Sequence, residues 1–495
     1  MVVATAWQRV ETSFKQIWGY DSFRPPQGDV IRTVLAQQDA LIVMPTGGGK
    51  SICFQLPALL QTGVTLVISP LVALMEDQVQ ELKQRQLAAE RIHSALTGFE
   101  KRQILQRTQQ NQLRLLYLSP ETLLSKRVWE TLCQPQVVIN GLILDEAHCL
   151  VQWGSTFRPT YRRLGAVRPA LLKHKPAGTR LPIAAFTATA NPAAQKTICT
   201  VLQLQQPKEV KLSPYRSNLN LAVKMVWTPR GRRQALLTFV KAHPQQAGLI
   251  YVRTRRTAEE LAQWLRPKGF SVQAYHAGLG SEDRRRIETE WLEEHCQFVV
   301  CTSAFGMGIN HPRVRWVCHF HAPSTLSEYV QEIGRGGRDG KPANALTLVS
   351  EPTGWLDGDD KRRWQFFAEC DRKLKQDAKQ LITSQPAAGH IDEVTRRNPK
   401  AATALALLHS QGQLTWDDPF HYRLNMGQSP NTAETFDSVK EIKQYLFSRK
   451  CRWQRLLIQF GCAAEAQDMQ CGHCDNCRTQ TKTTQDTQSP QKGAH

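Results

Sequence analysis

Apolar residues along this chain fall into short unbroken runs, each closed by small or polar residues and followed by a longer stretch of helical period. ALIVM (40–44), TLVIS (65–69), LLYLS (115–119), GLIL (141–144) and PIAAFT (182–187) are such runs. Runs this short, without polar alternation, read as strands buried on both faces, the signature of a parallel sheet covered by helices. SICFQLPALL and LVALMEDQVQEL, lying between them, predict covering helices. Residues 1–210 are therefore expected to form one parallel α/β domain.

KLSPYRSNLNL (211–221), with Ser213, Pro214 and two Asn, reads as a connector. A second series follows: GLIYV, RRTAEELAQWL, SVQAYHAG, SEDRRRIETEWL, FVVCTSAFGMGI, VRWVCHF, YVQEIGRGGRDG and ALTLVS. It predicts a second α/β domain over 211–350, similar in element order to the first but without a clear sequence repeat. Beyond 350 the character changes. Over 351–450, Trp355 to Thr383 is charged with helical period, and NPKAATALALLHSQ precedes two short strands around Asp417-Asp418-Pro419. Helix followed by hairpin resembles part of a winged helix. Residues 426–436 read as a polar linker, 451–478 as a metal-binding segment and 479–495 as a disordered tail.

Composition narrows the partner. A chain of 495 residues with 41% hydrophobic content is globular and too long for one core. Its 63 basic against 43 acidic residues, a net charge of +20, favour a polyanionic partner. No run approaches the ~18 apolar residues of a membrane span, and Met1 to Val10 lacks a leader's apolar core. Thirteen cysteines, an odd number scattered mostly singly, fit a reducing cytoplasm. A nucleoid-associated location is expected if the source is bacterial.

Candidate chemistry sits where the runs end. After ALIVM comes PTGGGKS: Gly47, Gly48 and Gly49 let backbone N–H groups close on phosphate, after Thr46. Lys50 can reach the β/γ phosphates and Ser51 can ligate Mg²⁺ at a helix N-terminus. Position 44, where this pattern usually has glycine, is Met44. After GLIL come Asp145 and Glu146, carboxylates able to hold a metal and activate water. Trp153, Phe157 and Arg158 follow, of the kind that stack on bases and pair with phosphate; ordinary core packing is the alternative for the two rings. Tyr20, Arg24 and Gln27 could present an aromatic face and an amide to adenine, or form a plain helix–loop connection. Cys471, Cys474 and Cys477, spaced by three, with Cys451 upstream, fit a four-thiolate zinc site. Cys462 and His473 are alternative ligands, and a redox CxxC pair is the competing reading.

WGYDSFRPPQ, MPTGGGKS, DEAHCLVQWGSTFRP, FTATA, YHAGL, AFGMGIN, QEIGRGGRDG and the cysteine cluster together resemble the RecQ DNA helicases of superfamily 2. The likeness runs from about Phe14 to Gly340 and resumes from Lys450 to Cys477. It implies two tandem RecA-like lobes, with ATP in the cleft between them and single-stranded DNA across the top, then a mainly helical zinc-binding region. It implies that Tyr20, Arg24 and Gln27 hold adenine, that Lys50 and Ser51 bind phosphate and Mg²⁺ with Asp145 on the metal, and that Glu146 orients and deprotonates water. Arg335 and Arg338 would act as arginine fingers, with Gln331 beside them; surface salt bridging is the alternative the residues alone suggest. The implied activity is ATP-driven 3′–5′ translocation and unwinding of forked or tailed duplex in DNA repair or recombination. RNA unwinding, or ATP-gated annealing with little unwinding, are the rival readings.

The chain also departs from that family. Ser155-Thr156 stand where His-Asp usually precede Phe-Arg-Pro, and His321 stands where an acid is typical. The span from Gly340 to Cys451 is long for the family, and only 18 residues follow Cys477. The winged-helix and helical nucleic-acid-binding domains that longer members place after the cluster are therefore expected to be absent; whether residues 391–425 replace their strand-splitting β-hairpin is open.

Overall fold

The computed structural model describes residues 2–151, 158–305, 311–384, 386–425 and 438–479. Trp153, Ser155, Thr156 and Phe157 lie outside the described residues, as do all of GMGIN (306–310), residues 426–437 and the tail from 480. Two compact units form. One comprises Met1–Leu212 with Glu369–Phe436, the other Ser213–Ala368 with Asp437–His495.

The first unit holds a seven-stranded sheet in the order β3-β4-β2-β5-β6-β1-β7. Its strands are β1 Ala40–Val43, β2 Val64–Ile68, β3 Ala89–Ile92, β4 Leu115–Leu118, β5 Ile139–Leu144, β6 Ile183–Thr187 and β7 Lys208–Lys211. Every pairing is parallel. Apolar clusters cover both faces, one around Leu66, Leu116 and Leu142, the other around Ile42, Val67 and Phe186. Unbroken apolar runs are what such two-sided burial requires. β1, β5 and β6 lie together, so the loops after them open at one edge, where open α/β sheets place ligand chemistry.

The second unit holds a six-stranded, all-parallel sheet in the order β10-β11-β9-β12-β13-β8. Its strands are β8 Leu219–Val226, β9 Gly248–Tyr251, β10 Val272–Tyr275, β11 Phe298–Cys301, β12 Trp316–His319 and β13 Ala343–Ser350. The cysteine segment belongs to this unit: Trp453, Tyr445, Cys474 and Cys477 share a core with Leu219, Leu221 and Ala345.

The segment over 386–425 carries a third sheet, antiparallel, in the order β14-β16-β15. β14 (Ala388–His390), the helices Ile391–Arg397 and Ala401–Ser410, then β15 (Leu414–Trp416) and β16 (His421–Leu424) follow the helix Asp359–Ser384. Helix, strand, two helices, then a two-strand wing is the complete topology of a winged helix, where the sequence showed only its second half. The sequence reading missed β14 because AGH is too short to carry a period. The segment has its own core of Ile391, Val394, Leu405, Leu408, Leu414 and Tyr422.

Candidate functional site

Three adjacent strands bring the first unit's candidate residues to one edge. β1 runs into the glycine loop, and Met44 N–H still donates to the Thr187 carbonyl oxygen at the end of β6. The loop turns through left-handed backbone at Gly47 (φ 83°) and Gly49 (φ 74°). Gly49 is the N-cap of the helix Lys50–Leu60, so this turn and the helix dipole meet at one point. A side chain at Gly49 would run into the Gln27 amide, and one at Gly48 would press on the Pro45 carbonyl oxygen at 3.1 Å.

Gln27 is buried and joined to that loop. Its amide nitrogen donates to the carbonyl oxygens of Gly48 and Gly49 at 3.2 and 3.5 Å, and its amide oxygen accepts from Arg24 N–H at 2.9 Å. Tyr20 is 51% exposed, its ring 5.8 Å from Phe14, and Arg24 is exposed. The structure thus ties Gln27 to the glycine loop and leaves Tyr20 and Arg24 open to solvent beside it.

The Lys50 ammonium is buried, makes no hydrogen bond to any described residue, and faces Glu146 Oε1 at 3.8 Å. A buried cation without hydrogen bonds is costly, and a phosphate oxygen is the partner its chemistry calls for. Ser51 accepts a long bond from Gln78 Nε2 at 3.4 Å. Asp145 comes straight off β5, its N–H donating to the Ile68 carbonyl oxygen. Burial raises its carboxyl above the usual range, the Glu146 charge adds to this, and Lys50 opposes it. A carboxylate that ionises reluctantly in isolation suits a divalent cation, and Asp145 with the Ser51 hydroxyl is the oxygen donor set Mg²⁺ prefers.

Glu146 sits in left-handed backbone (φ 53°), rare for a side-chain-bearing residue and typical of strained functional positions. Its Oε2 lies 3.1 Å from His148 Nδ1, which is also 3.2 Å from the Thr187 hydroxyl. Burial opposes the charged imidazole, but Cys149 and Glu146 outweigh it and push His148 up to about 10. His148 therefore links the β5 acids to the end of β6. Sequence reasoning gave neither His148 nor Thr187 a role. The signal lay in the motifs already quoted, in the last letter of DEAH and the first Thr of FTATA.

In the second unit, Gln331 lies on the helix Leu326–Ile333, and Arg335 and Arg338 follow it. Arg335 is buried and hydrogen-bonded to Tyr251 at the end of β9, while Arg338 Nε donates to the Gly334 carbonyl oxygen at 3.4 Å. The helix is anchored from beneath: Glu332 pairs with Arg253 at 2.9 Å and His319 at 3.0 Å. His321 is buried, its ring held neutral by burial and by Arg363 and Arg232. Asp360, fully buried beside those arginines, supplies an acid to the cluster around His321.

The Sγ atoms of Cys451, Cys471, Cys474 and Cys477 lie within 4.8 Å of one another. Backbone N–H groups point at three of these sulfurs: Cys471 to Cys451, Cys474 to Cys471 and Arg452 to Cys474, at 3.3–3.5 Å. Four converging thiols with N–H donors around them fit a tetrahedral thiolate-bound ion. Cys462 and His473 are not among the four, and His473 Nε2 is 3.3 Å from the Tyr215 hydroxyl.

A DEAD/DEAH box helicase family model matches residues 24–197, and a helicase conserved C-terminal domain model matches residues 231–340. The ATP-dependent DNA helicase RecQ of Synechocystis sp. is 52% identical over 472 residues, covering 95% of this chain and 98% of that protein. The chain belongs to the RecQ family. The RecQ of Haemophilus influenzae is 40% identical over 344 residues, 69% of this chain and 54% of its own length, so the chain spans about half of that relative. Among solved structures, S. cerevisiae Dbp5 bound to RNA and ADP BeF3 has a TM-score of 0.56 at 16% identity, covering 70% of this chain and 88% of that one. Mycobacterium smegmatis helicase Lhr bound to ssDNA and AMP-PNP has a TM-score of 0.54 at 18% identity, covering 86% and 60%. Both show the fold that this RecQ chain shares, a pair of RecA-like parallel-sheet domains. The Haemophilus match covers 69% of this RecQ chain, against 95% for the Synechocystis match. No described helix is long and apolar enough to cross a membrane.

Proposed function

We propose that the chain is an ATP-dependent DNA helicase that moves 3′ to 5′ along single-stranded DNA and separates forked or tailed duplex in repair or recombination. The observation that carries this reading is the buried Lys50 ammonium, without a hydrogen bond to any described residue and 3.8 Å from Glu146, at the mouth of the glycine loop. In it, Gly47 to Gly49, Thr46 and Lys50 hold the phosphates of ATP, and Tyr20, Arg24 and Gln27 hold adenine. Ser51 and Asp145 hold Mg²⁺, which when bound supplies positive charge against the charge developing on the phosphoryl oxygens. Glu146 orients the attacking water and takes its proton, with His148 fixing the carboxylate. Arg335 and Arg338, with Gln331, stabilise the transferring phosphoryl group, an effect worth roughly 10³–10⁵ in rate. Trp153, Phe157 and Arg158 sense the strand. Cys451, Cys471, Cys474 and Cys477 bind one structural Zn²⁺.

ATP hydrolysis measured with single-stranded DNA, with RNA and without nucleic acid, beside unwinding of forked, tailed and blunt duplexes, tests the reading. DNA stimulation with unwinding of forked or tailed substrates is expected. Stimulation by RNA alone, or stimulation without strand separation, would overturn it.

A further inference from the structure

Residues 386–425 have the topology of a DNA-binding module but not its chemistry. In helix-turn-helix proteins the second helix enters the major groove and presents polar side chains to base edges. Here that helix is Ala401–Ser410, AATALALLHS. Seven of its ten residues are buried. Leu405, Leu408, Ala401 and Ala404 belong to the module's own core. Ala406 is fully buried outside that core, on the opposite stripe with Ala402 and His409 at i, i+4, i+7 spacing. The helix packs on the 3₁₀ turn Pro159–Ala166 of the first lobe. His409 feels the Arg162 charge, and Arg162 is itself only 2% exposed.

The wing makes the second half of the joint. Arg163 Nε donates to the Pro419 carbonyl oxygen at 2.6 Å, and its guanidinium lies 5.8 Å from the ring centres of both Trp416 and Phe420. Phe420 packs edge-on against Trp129 at 5.3 Å and, partly buried, lies against one of the apolar clusters of the first sheet. Charge argues the same way. In a chain of +20, the module's four basic residues, Arg396, Arg397, Lys400 and Arg423, are matched by Asp392, Glu393, Asp417 and Asp418. Two of the eight are already spent on each other, Arg423 to Asp417 at 2.9 Å. A module that grips phosphate needs an excess of cations.

The turn it docks on is well placed to matter. Arg158 immediately precedes it and pairs with Glu121 at 3.2 Å. Tyr161, within it, is buried close enough to Asp145 to feel its charge. We propose that residues 386–425 form an intramolecular brace, not a DNA reader, and that Arg163, Trp416 and Phe420 are positioning residues. They hold the Pro159–Ala166 turn, which Arg158 immediately precedes and which carries Tyr161, a residue that feels the Asp145 charge. The brace keeps Arg158 in register with the acids, so it sets how strongly DNA stimulates hydrolysis.

This rests on the helicase reading for its activity arm only. Phe420→Ala and Arg163→Ala, in the full chain, should keep basal hydrolysis and KM for ATP within about twofold while cutting DNA stimulation about fivefold or more, the size expected when a coupling contact is removed. Phe420→Tyr should restore stimulation, because the ring still meets Trp129. Hydrogen exchange of the amides in 159–166 should rise in Phe420→Ala and return in Phe420→Tyr. The triple change Arg396→Gln, Arg397→Gln, Lys400→Gln should leave single-strand and duplex affinity within about twofold. Loss of DNA affinity in the triple variant would make the module a DNA reader and overturn the proposal. A parallel fall of basal and stimulated rates in Phe420→Ala, with a lower Tm, would reduce the joint to simple stability and overturn it equally. If the wild-type chain shows no DNA stimulation, the helicase reading fails, while the exchange measurement still decides whether the module braces the turn.

Discussion

Gln27 and Gly49 occupy the same space from two sides of the nucleotide loop: a Cβ at residue 49 would land on the Gln27 amide that bonds to its carbonyl oxygen. Gly49→Ala therefore carries two penalties, a left-handed φ of 74° and a collision. Removing the collision with Gln27→Ala should recover only part of the lost ATP affinity, leaving the backbone cost of about 1–2 kcal/mol. Titration of a fluorescent nucleotide against the two single variants and the double checks this. Full recovery in the double variant would show that φ is not limiting.

Lys50→Ala should abolish hydrolysis, by at least about a hundredfold, with little loss of thermal stability. The ammonium makes no hydrogen bond to a described residue, so the fold loses little with it. Steady-state turnover beside a thermal melt separates the two effects. A large drop in Tm with turnover retained would make Lys50 structural.

The four-cysteine cluster predicts one zinc per chain by metal analysis. Binding worth on the order of 10 kcal/mol would be coupled to folding of the segment, so Cys474→Ser should lose the metal and unfold it. Cys462→Ser should keep full metal content, since Cys462 lies outside the cluster. Loss of zinc from both variants would call for a different ligand set.

His409 gives the brace a pH signature. Burial, with Arg162 facing it, lowers its pKa from the usual 6.5 to about 3. The unfolded chain takes up this proton first as pH falls, so the contribution is complete above 6.5 and is lost progressively from 6.5 toward 3. Its slope is at most ~1.4 kcal/mol per pH unit. Urea midpoints at pH 7.5 and 5.5 should therefore fall further in the wild-type chain than in His409→Gln. Equal falls would mean that other groups carry the acid sensitivity.

Much of this was legible in residue order because parallel sheets leave strong traces. ALIVM, GLIL and PIAAFT became β1, β5 and β6, and the chemistry lies where they end. The four sulfurs were readable from their spacing and one upstream cysteine. What the sequence did not show depends on long-range packing. Nothing local to His148 says that it bridges Glu146 and Thr187, 39 residues further on. Nothing in AATALALLHS says that the helix packs on a turn more than 200 residues earlier. Gln27 read as an adenine contact, and its bonds to the glycine loop required the fold.

The first unit is assembled from two separated stretches, Met1–Leu212 and Glu369–Phe436, with Ser213–Ala368 synthesised between them. At ribosomal speeds of roughly 5–20 residues per second, Phe420 emerges about 10–40 s after the first stretch is complete. During that interval Trp129 and the turn bearing Arg163 wait uncovered on a nascent chain. The joint is thus among the last contacts of its unit to close, and it dates the moment at which the first lobe becomes whole.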